Sequence, residues 1–412
     1  MRVILLAMAI LMVEGFDLQA IGFVAPEIAK SWAVNISAFG PVFSAGLAGS
    51  MIGCMAAGPV ARVAGLRRLV ALSLLVFGAF TLLIAWVNSL TLLAVLRFIV
   101  GLGLGASIPV VMSIVADNSA PRFRATLVVV ALCGQPIGAI VGAALCARLI
   151  PIHGWQSAFY LGGTVPLLLI LPLRLIPRER TQGPGDRSTS VYTSADPASS
   201  GPKRLRDIFG RELLTMTTLL WIGAFLTTSF LYIIVNWLPS AVRASGYTLQ
   251  SSVLMISLFN IGGIAGALLL GLLMDRFGPF KVMPFAFGIA GLAMAAIDAS
   301  RAAPVWLMAT SFLSGLAGYG AGLSYASLTL MLYPQPLQTT AVGYVVGIGR
   351  LGAAIGPLLA GLALSVGFAI GRLFYFAAAA AILVMLCLLC LSRNIRTRRQ
   401  LHNPSLVEGL RV

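Results

Sequence analysis

Four charged side chains stand where the surrounding residues are almost all apolar. Glu14 and Asp17 interrupt the segment MRVILLAMAILMVEGFDLQAIGFVAP, and Arg97 and Arg350 lie within two further apolar stretches. A carboxylate at bilayer depth costs at least ~2.5 kcal/mol on insertion scales, so such groups persist where they face a water-filled cavity, pair with a cation or move protons. The spacing of three residues puts Glu14 and Asp17 on one face of a helix. Burial favours the neutral form of a carboxyl and a nearby cation favours the charged form, so a carboxyl that gains and loses a cation partner can take up and release a proton. Asp17 is the first choice for that coupling proton. Glu14 can share the role, since two neighbouring acids titrate as a pair; the alternative is a polar contact between helices. Arg350 stays charged and presents a planar fork suited to a carboxylate. It can hold a substrate carboxylate, form an ion pair with Asp17 or Glu14, or alternate between the two.

Helices that cross a membrane are needed to position these groups. Hydrophobic residues make up 59% of the 412 and charged residues 10%, against about 25% charged in soluble domains. Apolar runs near the ~20 residues that cross the hydrocarbon core recur along the chain. They cover 3–25, 38–60, 69–87, 91–116, 125–149, 158–176, 213–238, 251–274, 282–297, 304–332, 340–366 and 370–392. The pattern predicts an all-α integral membrane protein of twelve transmembrane helices; the alternation of a membrane barrel is absent. Arg350 falls about ten residues into the eleventh span, ~15 Å from its inner end and so near the midplane.

A net charge of +16 would suit a nucleic-acid binder, but its distribution argues otherwise. With odd-numbered spans running outward, 21 of the 28 Lys and Arg residues fall on the inner side and 5 on the outer, leaving Arg97 and Arg350 in the membrane. The positive-inside rule then places both termini in the cytoplasm of a multi-pass protein of the cell (inner) membrane. The expected partners are the lipid bilayer and a small substrate, not nucleic acid, and the chain is expected to be a monomer. Cys54, Cys133, Cys146, Cys387 and Cys390 all lie in apolar spans without metal-ligand spacing and read as packing residues. His153 and His402 fall in a loop and the tail, so no metal or other cofactor is expected. No cleavable signal peptide is expected either, because the first span is too long and lacks a basic leader and a cleavage site. That span starts so close to Met1 that a few preceding residues are expected to be missing.

The apolar pattern breaks once, at PRERTQGPGDRSTSVYTSADPASSGPKRLRDIFGRE, a polar, basic, Ser/Pro/Gly-rich stretch that reads as a flexible linker. The expected organisation is therefore a six-helix half at 1–176, a cytoplasmic linker at 177–212, a second six-helix half at 213–392 and a cytoplasmic tail at 393–412. The halves echo each other: GPVARVAGLRR (58–68) follows the second span and GLLMDRFGPFK (271–281) follows the eighth. One loop signature at matching places is the mark of an internal repeat, and repeated halves with a site between them at the midplane are one build of secondary transporter. The glycines of GLGLGASIPV (101–110) and GPLLAG (356–361) read mainly as close-packing faces.

Gly271, Asp275, Arg276, Gly278 and Lys281 match the loop signature of the major facilitator superfamily, which the chain resembles. Within it, the chain is similar to the aromatic acid:proton symporters. The matching stretches are EGFDLQAIGFVAP (14–26), RFIVGLGLGASIP (97–109), DNSAPRFRAT (117–126), GWQSAFYLGG (154–163), NWLPS (236–240) and YPQPLQTTAVGYVVGIGRLGAAIGPLLAG (333–361). They run through both halves in order. The usual DGFD motif is here Glu14-Gly15-Phe16-Asp17, and this variant resembles the branch that carries 3-(3-hydroxyphenyl)propionate. The resemblance implies a proton-coupled transporter, not an enzyme, importing a small aromatic carboxylate of the hydroxybenzoate or hydroxyphenylpropionate type by alternating access. It implies a functional arginine at Arg97, either assisting proton transfer or neutralising Asp17 or Glu14. Ring contacts would come from Phe16, Tyr232, Trp237 and Tyr325, and hydrogen bonds from Gln135, Asn236 and Asn260; residues of these kinds are more often packing than ligand contacts, and Trp237 can belong to an interfacial aromatic belt. Gating falls to cytoplasmic charges: Arg67, Arg68, Asp117, Arg124, Asp275 and Arg276, with Asp117 clustering with Arg67 or Arg68.

Two departures bear on gating. Arg62 replaces the acid expected in the first loop signature, and Gln338 stands where the family commonly has an arginine. The second hypothesis is a facilitator or exporter of another organic anion. An organic-cation carrier would not need Arg350; a sensor would need a signalling domain, and an enzyme a nucleophile–base pair or metal set.

Overall fold

A backbone inside a bilayer must satisfy its own N–H and C=O groups, and a helix does so within one segment. The computed structural model describes residues 2–118, 127, 130–175, 214–300, 302–333 and 335–402. The linker 177–212, Arg124 and the end of the tail lie outside the described residues, as do the side chains of Arg62, Asp117 and Gln338. Among the described residues the secondary structure is entirely helical. The helices are α1 (Arg2–Trp32), α2 (Gly40–Ala64), α3 (Leu66–Ile84), α4 (Leu90–Asp117), α5 (Gly134–His153), α6 (Gln156–Leu169), α7 (Leu214–Ala244), α8 (Leu249–Phe277), α9 (Pro279–Ser300), α10, α11 (Gln335–Ser365) and α12 (Leu373–His402).

Eleven of the twelve spans are long apolar helices. The tenth, α10, is assembled from Pro304–Ser314, a π turn at Gly315–Tyr319, and Gly320–Leu332. A π turn widens the helix by one residue and concentrates at functional sites. Here it sits where α10 lies against α8 with glycines on both sides. A Cβ on Gly315 would overlap the Phe259 backbone, and one on Gly266 would overlap that of Leu316. Two other helices outrun their apolar cores: α1 continues through Pro26 to Trp32, and α11 starts at Gln335, so Arg350 is close to its centre.

The repeat is visible in the backbone. Gly65, between α2 and α3, has φ 81°, and Gly278, between α8 and α9, has φ 81° as well. Each donates its N–H to the carbonyl four residues earlier, Ala61 and Met274 respectively. The left-handed conformation explains why glycine recurs at this place in both loops. Packing repeats too: α1 on α5, α2 on α4 and α3 on α6 in the first half are answered by α7 on α11, α8 on α10 and α9 on α12 in the second. Across the halves, α1 meets α7, α2 meets α11 and α5 meets α8.

Small residues make these contacts close. Gly101 and Gly105 of α4 lie on the backbone of Gly46 and Ser50 of α2, as their packing reading anticipated. Gly361 of α11 meets Gly40 of α2, and Gly22 of α1 meets Val235 of α7, so both pairs join the halves.

Candidate functional site

The site begins with the approach of α1 to α5. A Cβ on Gly15 would overlap the Gln135 carbonyl, and Gly138 is pressed in the same way against Met12. Between these glycine contacts Glu14 is carried deep into the protein, with Asp17 one turn further on; both are buried.

Their surroundings differ. Asp17 is closed on Arg97 of α4: Nη1 donates to Oδ2 at 2.8 Å and Nη2 to the Asp17 carbonyl at 3.3 Å. Thr81 Oγ1 of α3 adds a longer contact to Oδ1 at 3.4 Å. Gly46 leaves room beside the guanidinium. All of these partners belong to the first half. Arg97 therefore occupies the neutralising position open to it in the sequence reading, and its ion-pair partner is Asp17.

Glu14 has no such ion pair at hydrogen-bond distance. Its Oε1 contacts the hydroxyl of Ser107 on α4. Gln135 lies beside the carboxyl, and Arg350 of α11 lies within electrostatic reach from the opposite half. The other oxygen, Oε2, is buried without a hydrogen-bond partner. Arg350 itself donates through Nη1 to Ser50 Oγ of α2 at 3.1 Å, again across the halves. A carboxyl of one half and a guanidinium of the other, each in contact with a serine hydroxyl, thus lie within electrostatic reach of each other.

The other expected contacts separate into groups. Asn260 of α8 forms a reciprocal amide pair with Gln19 of α1, at 2.9 and 2.8 Å, a second link between the halves. Trp237 is fully buried, its ring edge-on to Phe43 of α2 at 5.0 Å and its indole N–H donated to the Pro357 carbonyl at 3.3 Å. It packs the interface and is not in an aromatic belt at the lipid surface. Phe16 is wedged against Gly142 and Gly162 inside the first half. Tyr325 gives its hydroxyl to the Leu220 carbonyl at 3.2 Å inside the second. Asn236 is tied to the Tyr232 carbonyl of its own helix at 2.8 Å. Tyr232 lies within electrostatic reach of Tyr319, the last residue of the π turn, which also reaches toward Cys133, just before α5, and stacks on Phe259 at 5.6 Å.

Among the expected gating charges, Asp275, Arg276 and Arg68 are exposed, and Arg276 lies over the ring of Phe277 at 5.4 Å. Among the described residues an ion pair joins the halves elsewhere: Glu27 of α1 accepts from Arg243 of α7 at 2.6 Å, with Arg243 also held by the Tyr247 carbonyl at 3.0 Å.

Sequence reasoning missed Ser50, Ser107, Gln19, Glu27, Arg243 and Tyr319. Gln19 carried a usable signal, since it is a polar residue in the same apolar span as the two acids. The serines were hidden among small residues whose packing role is genuine.

A description of the Major Facilitator Superfamily matches residues 7–321 and 254–409. The chain belongs to this superfamily. It is 32% identical to the 4-hydroxybenzoate transporter PcaK of Acinetobacter baylyi, over 91% of this chain and 88% of that one. It is also 32% identical to the 3-(3-hydroxy-phenyl)propionate transporter of Escherichia coli, over 88% and 86%. Overall identity therefore does not separate the two substrate types. The crystal structure of a D-xylose-proton symporter shares the fold, with a TM-score of 0.75 at 15% identity over 94% of this chain and 96% of that one. The protein is a multi-pass membrane transporter whose relatives carry aromatic acids.

Proposed function

We propose that this transporter imports a small aromatic carboxylate of the hydroxybenzoate or hydroxyphenylpropionate type, driven by protons, through alternating access of its two halves. The observation that carries the proposal is Glu14 facing Arg350 across those halves, with one carboxyl oxygen unpartnered. A guanidinium can exchange one carboxylate partner for another. In the proposed cycle Glu14 is the acid that carries the proton. Once protonated, it no longer competes for Arg350, and the substrate carboxylate takes the fork. Reorientation of the halves then releases the substrate, and the emptied Arg350 again favours the charged form of Glu14, which gives up its proton. Asp17, the other acid, acts in this scheme as the fixed counter-charge of Arg97.

The ring would lie toward Tyr232 and Tyr319, whose hydroxyls have no described hydrogen-bond partner. Gln135 would orient the carboxyl end. The scheme places the protein in the inner membrane as a monomer with both termini cytoplasmic. The halves 1–176 and 213–392 act as moving bodies joined by 177–212, with 393–412 as the tail. Gating at the cytoplasmic end would use Arg67, Arg68, Asp117, Arg124, Asp275 and Arg276. Positive-inside charge supports this orientation.

Proteoliposomes with an inward proton gradient test the proposal. Labelled 4-hydroxybenzoate or 3-(3-hydroxyphenyl)propionate should accumulate above equilibrium, and a protonophore should abolish the accumulation. Equilibration without accumulation would favour a facilitator of organic anions. No uptake of any aromatic acid by folded protein would sink the proposal.

A further inference from the structure

Ser107 is buried on α4 and touches two oxygen atoms that place different demands on it. Its hydroxyl lies 2.8 Å from the carbonyl of Leu104, one turn earlier, and in contact with Glu14 Oε1. A serine hydroxyl carries one hydrogen, and a backbone carbonyl can only accept. When that hydrogen goes to Leu104, the hydrogen between Ser107 and Glu14 has to belong to Glu14, which is then a neutral acid donating to the serine oxygen. When Glu14 is charged, the serine turns its hydrogen to the carboxylate, and Leu104 keeps its ordinary helical bond. The contact between Ser107 and Oε1 is kept in both states by rotating one hydroxyl, with no movement of heavy atoms.

We propose that Ser107 is a positioning residue that holds Glu14 in both its protonated and its charged form by turning its hydroxyl between the Leu104 carbonyl and the Glu14 carboxyl. The proposal rests on Glu14 being the proton carrier. Asp17 supplies the contrast. Its main partner is a guanidinium, which can only donate, and the Thr81 hydroxyl stands further off at 3.4 Å, so its surroundings favour the carboxylate.

Among the neighbours of Glu14, Ser107 is the hydroxyl in direct contact with the carboxyl. Among the described residues, Arg350 is the charged group of another helix that acts on the carboxyl, and Gln135 lies beside it. Arg97 on α4 is committed to Asp17, Arg243 on α7 to Glu27, and Asn260 on α8 to Gln19. Just before α5, Cys133 lies toward Tyr319, while Arg148 and His153 of α5 are exposed. Ser107 touches Oε1 directly, whereas Oε2 has no hydrogen-bond partner among the described residues.

The test is the pH profile of gradient-driven uptake in proteoliposomes for Ser107→Ala and Ser107→Thr. The alanine variant loses a donor to the charged form, and a charge-assisted hydrogen bond is the stronger of the two that Ser107 can make. Its profile should move toward higher pH by about one unit, the size set by loss of one such bond. Threonine keeps the hydroxyl and should restore the wild-type profile. Infrared difference spectra should show the protonated-carboxyl band of Glu14 displaced in the alanine variant and absent in Glu14→Gln. An unshifted profile in Ser107→Ala, or a uniform loss of rate at every pH, would overturn the proposal. Should the alanine variant fail to fold, Ser107→Cys, with its weaker donor, should shift the profile partway, and an unshifted profile there overturns it equally. Full accumulation by Glu14→Gln would instead remove the proton-carrier reading on which Ser107 depends.

Discussion

Two acids one turn apart on α1 have been given opposite surroundings. Asp17 is closed on Arg97 within one half, at 2.8 Å, with a second bond to its carbonyl at 3.3 Å. Glu14 touches a serine, leaves one oxygen bare and faces Arg350 of the other half. If the halves move as bodies, everything around Asp17 travels together, whereas the distance from Glu14 to Arg350 changes. A charge pair inside one body is a structural constant of the cycle; a pair across two bodies is a variable. The variable pair is the one whose interaction differs between states when the halves move, and coupling needs such a difference.

The comparison breaks most severely at Arg97. Breaking a buried ion pair by removing one partner costs about 3–5 kcal/mol, because it strands a charge. Arg97→Met should therefore lose most of its folded yield, seen as a fall in Tm in detergent, and Asp17→Asn in the same chain should recover much of it. If Arg97→Met is as stable as wild type, Asp17 is not the fixed member of the pair. Glu14→Gln comes next. It should fold, bind the aromatic acid and exchange labelled for unlabelled substrate at wild-type order of rate, yet lose accumulation under a proton gradient. Accumulation equal to wild type would return the coupling role to Asp17.

Much of this was legible in the sequence because membrane insertion makes polar residues conspicuous. Glu14, Asp17, Arg97 and Arg350 could be picked out of 412 residues by cost alone, and the twelve spans by length. Which acid meets which arginine could not be read, because helical periodicity places a side chain on a face but says nothing of the helix opposite. The glycine contacts that bring Gln135 beside Glu14 involve backbone meeting backbone, and no side-chain pattern announces them. Aromatic residues misled for the same reason. Phe16, Trp237 and Tyr325 have the chemistry of ring contacts, but their volume is taken up by packing within or between the halves. The π turn that presents Tyr319 lies in a span that reads as an ordinary helix.

A third acid on α1 sharpens the distinction. Glu27 crosses the halves to Arg243, as Glu14 does to Arg350, but the two side chains are 20% and 28% exposed. Ion pairs that solvent still reaches contribute about 0–1 kcal/mol, so this pair can favour the contact between the halves at its end without fixing it. Gly22 against Val235 and Gly40 against Gly361 supply the close packing there. Phe43, buried against Trp237, reports on that contact between the halves. In a chain freed of its five native cysteines and carrying Phe43→Cys, thiol labelling should be slow. Glu27→Gln should raise the labelling rate by at most about fivefold, and high salt should raise it in the parent but hardly at all in the variant, because screening and neutralisation remove the same interaction. A rise of a hundredfold would mean that Glu27 and Arg243 hold the end shut by themselves. The distinction would then lie not between in-half and cross-half pairs but between Glu14, which exchanges partners, and the two acids that keep theirs.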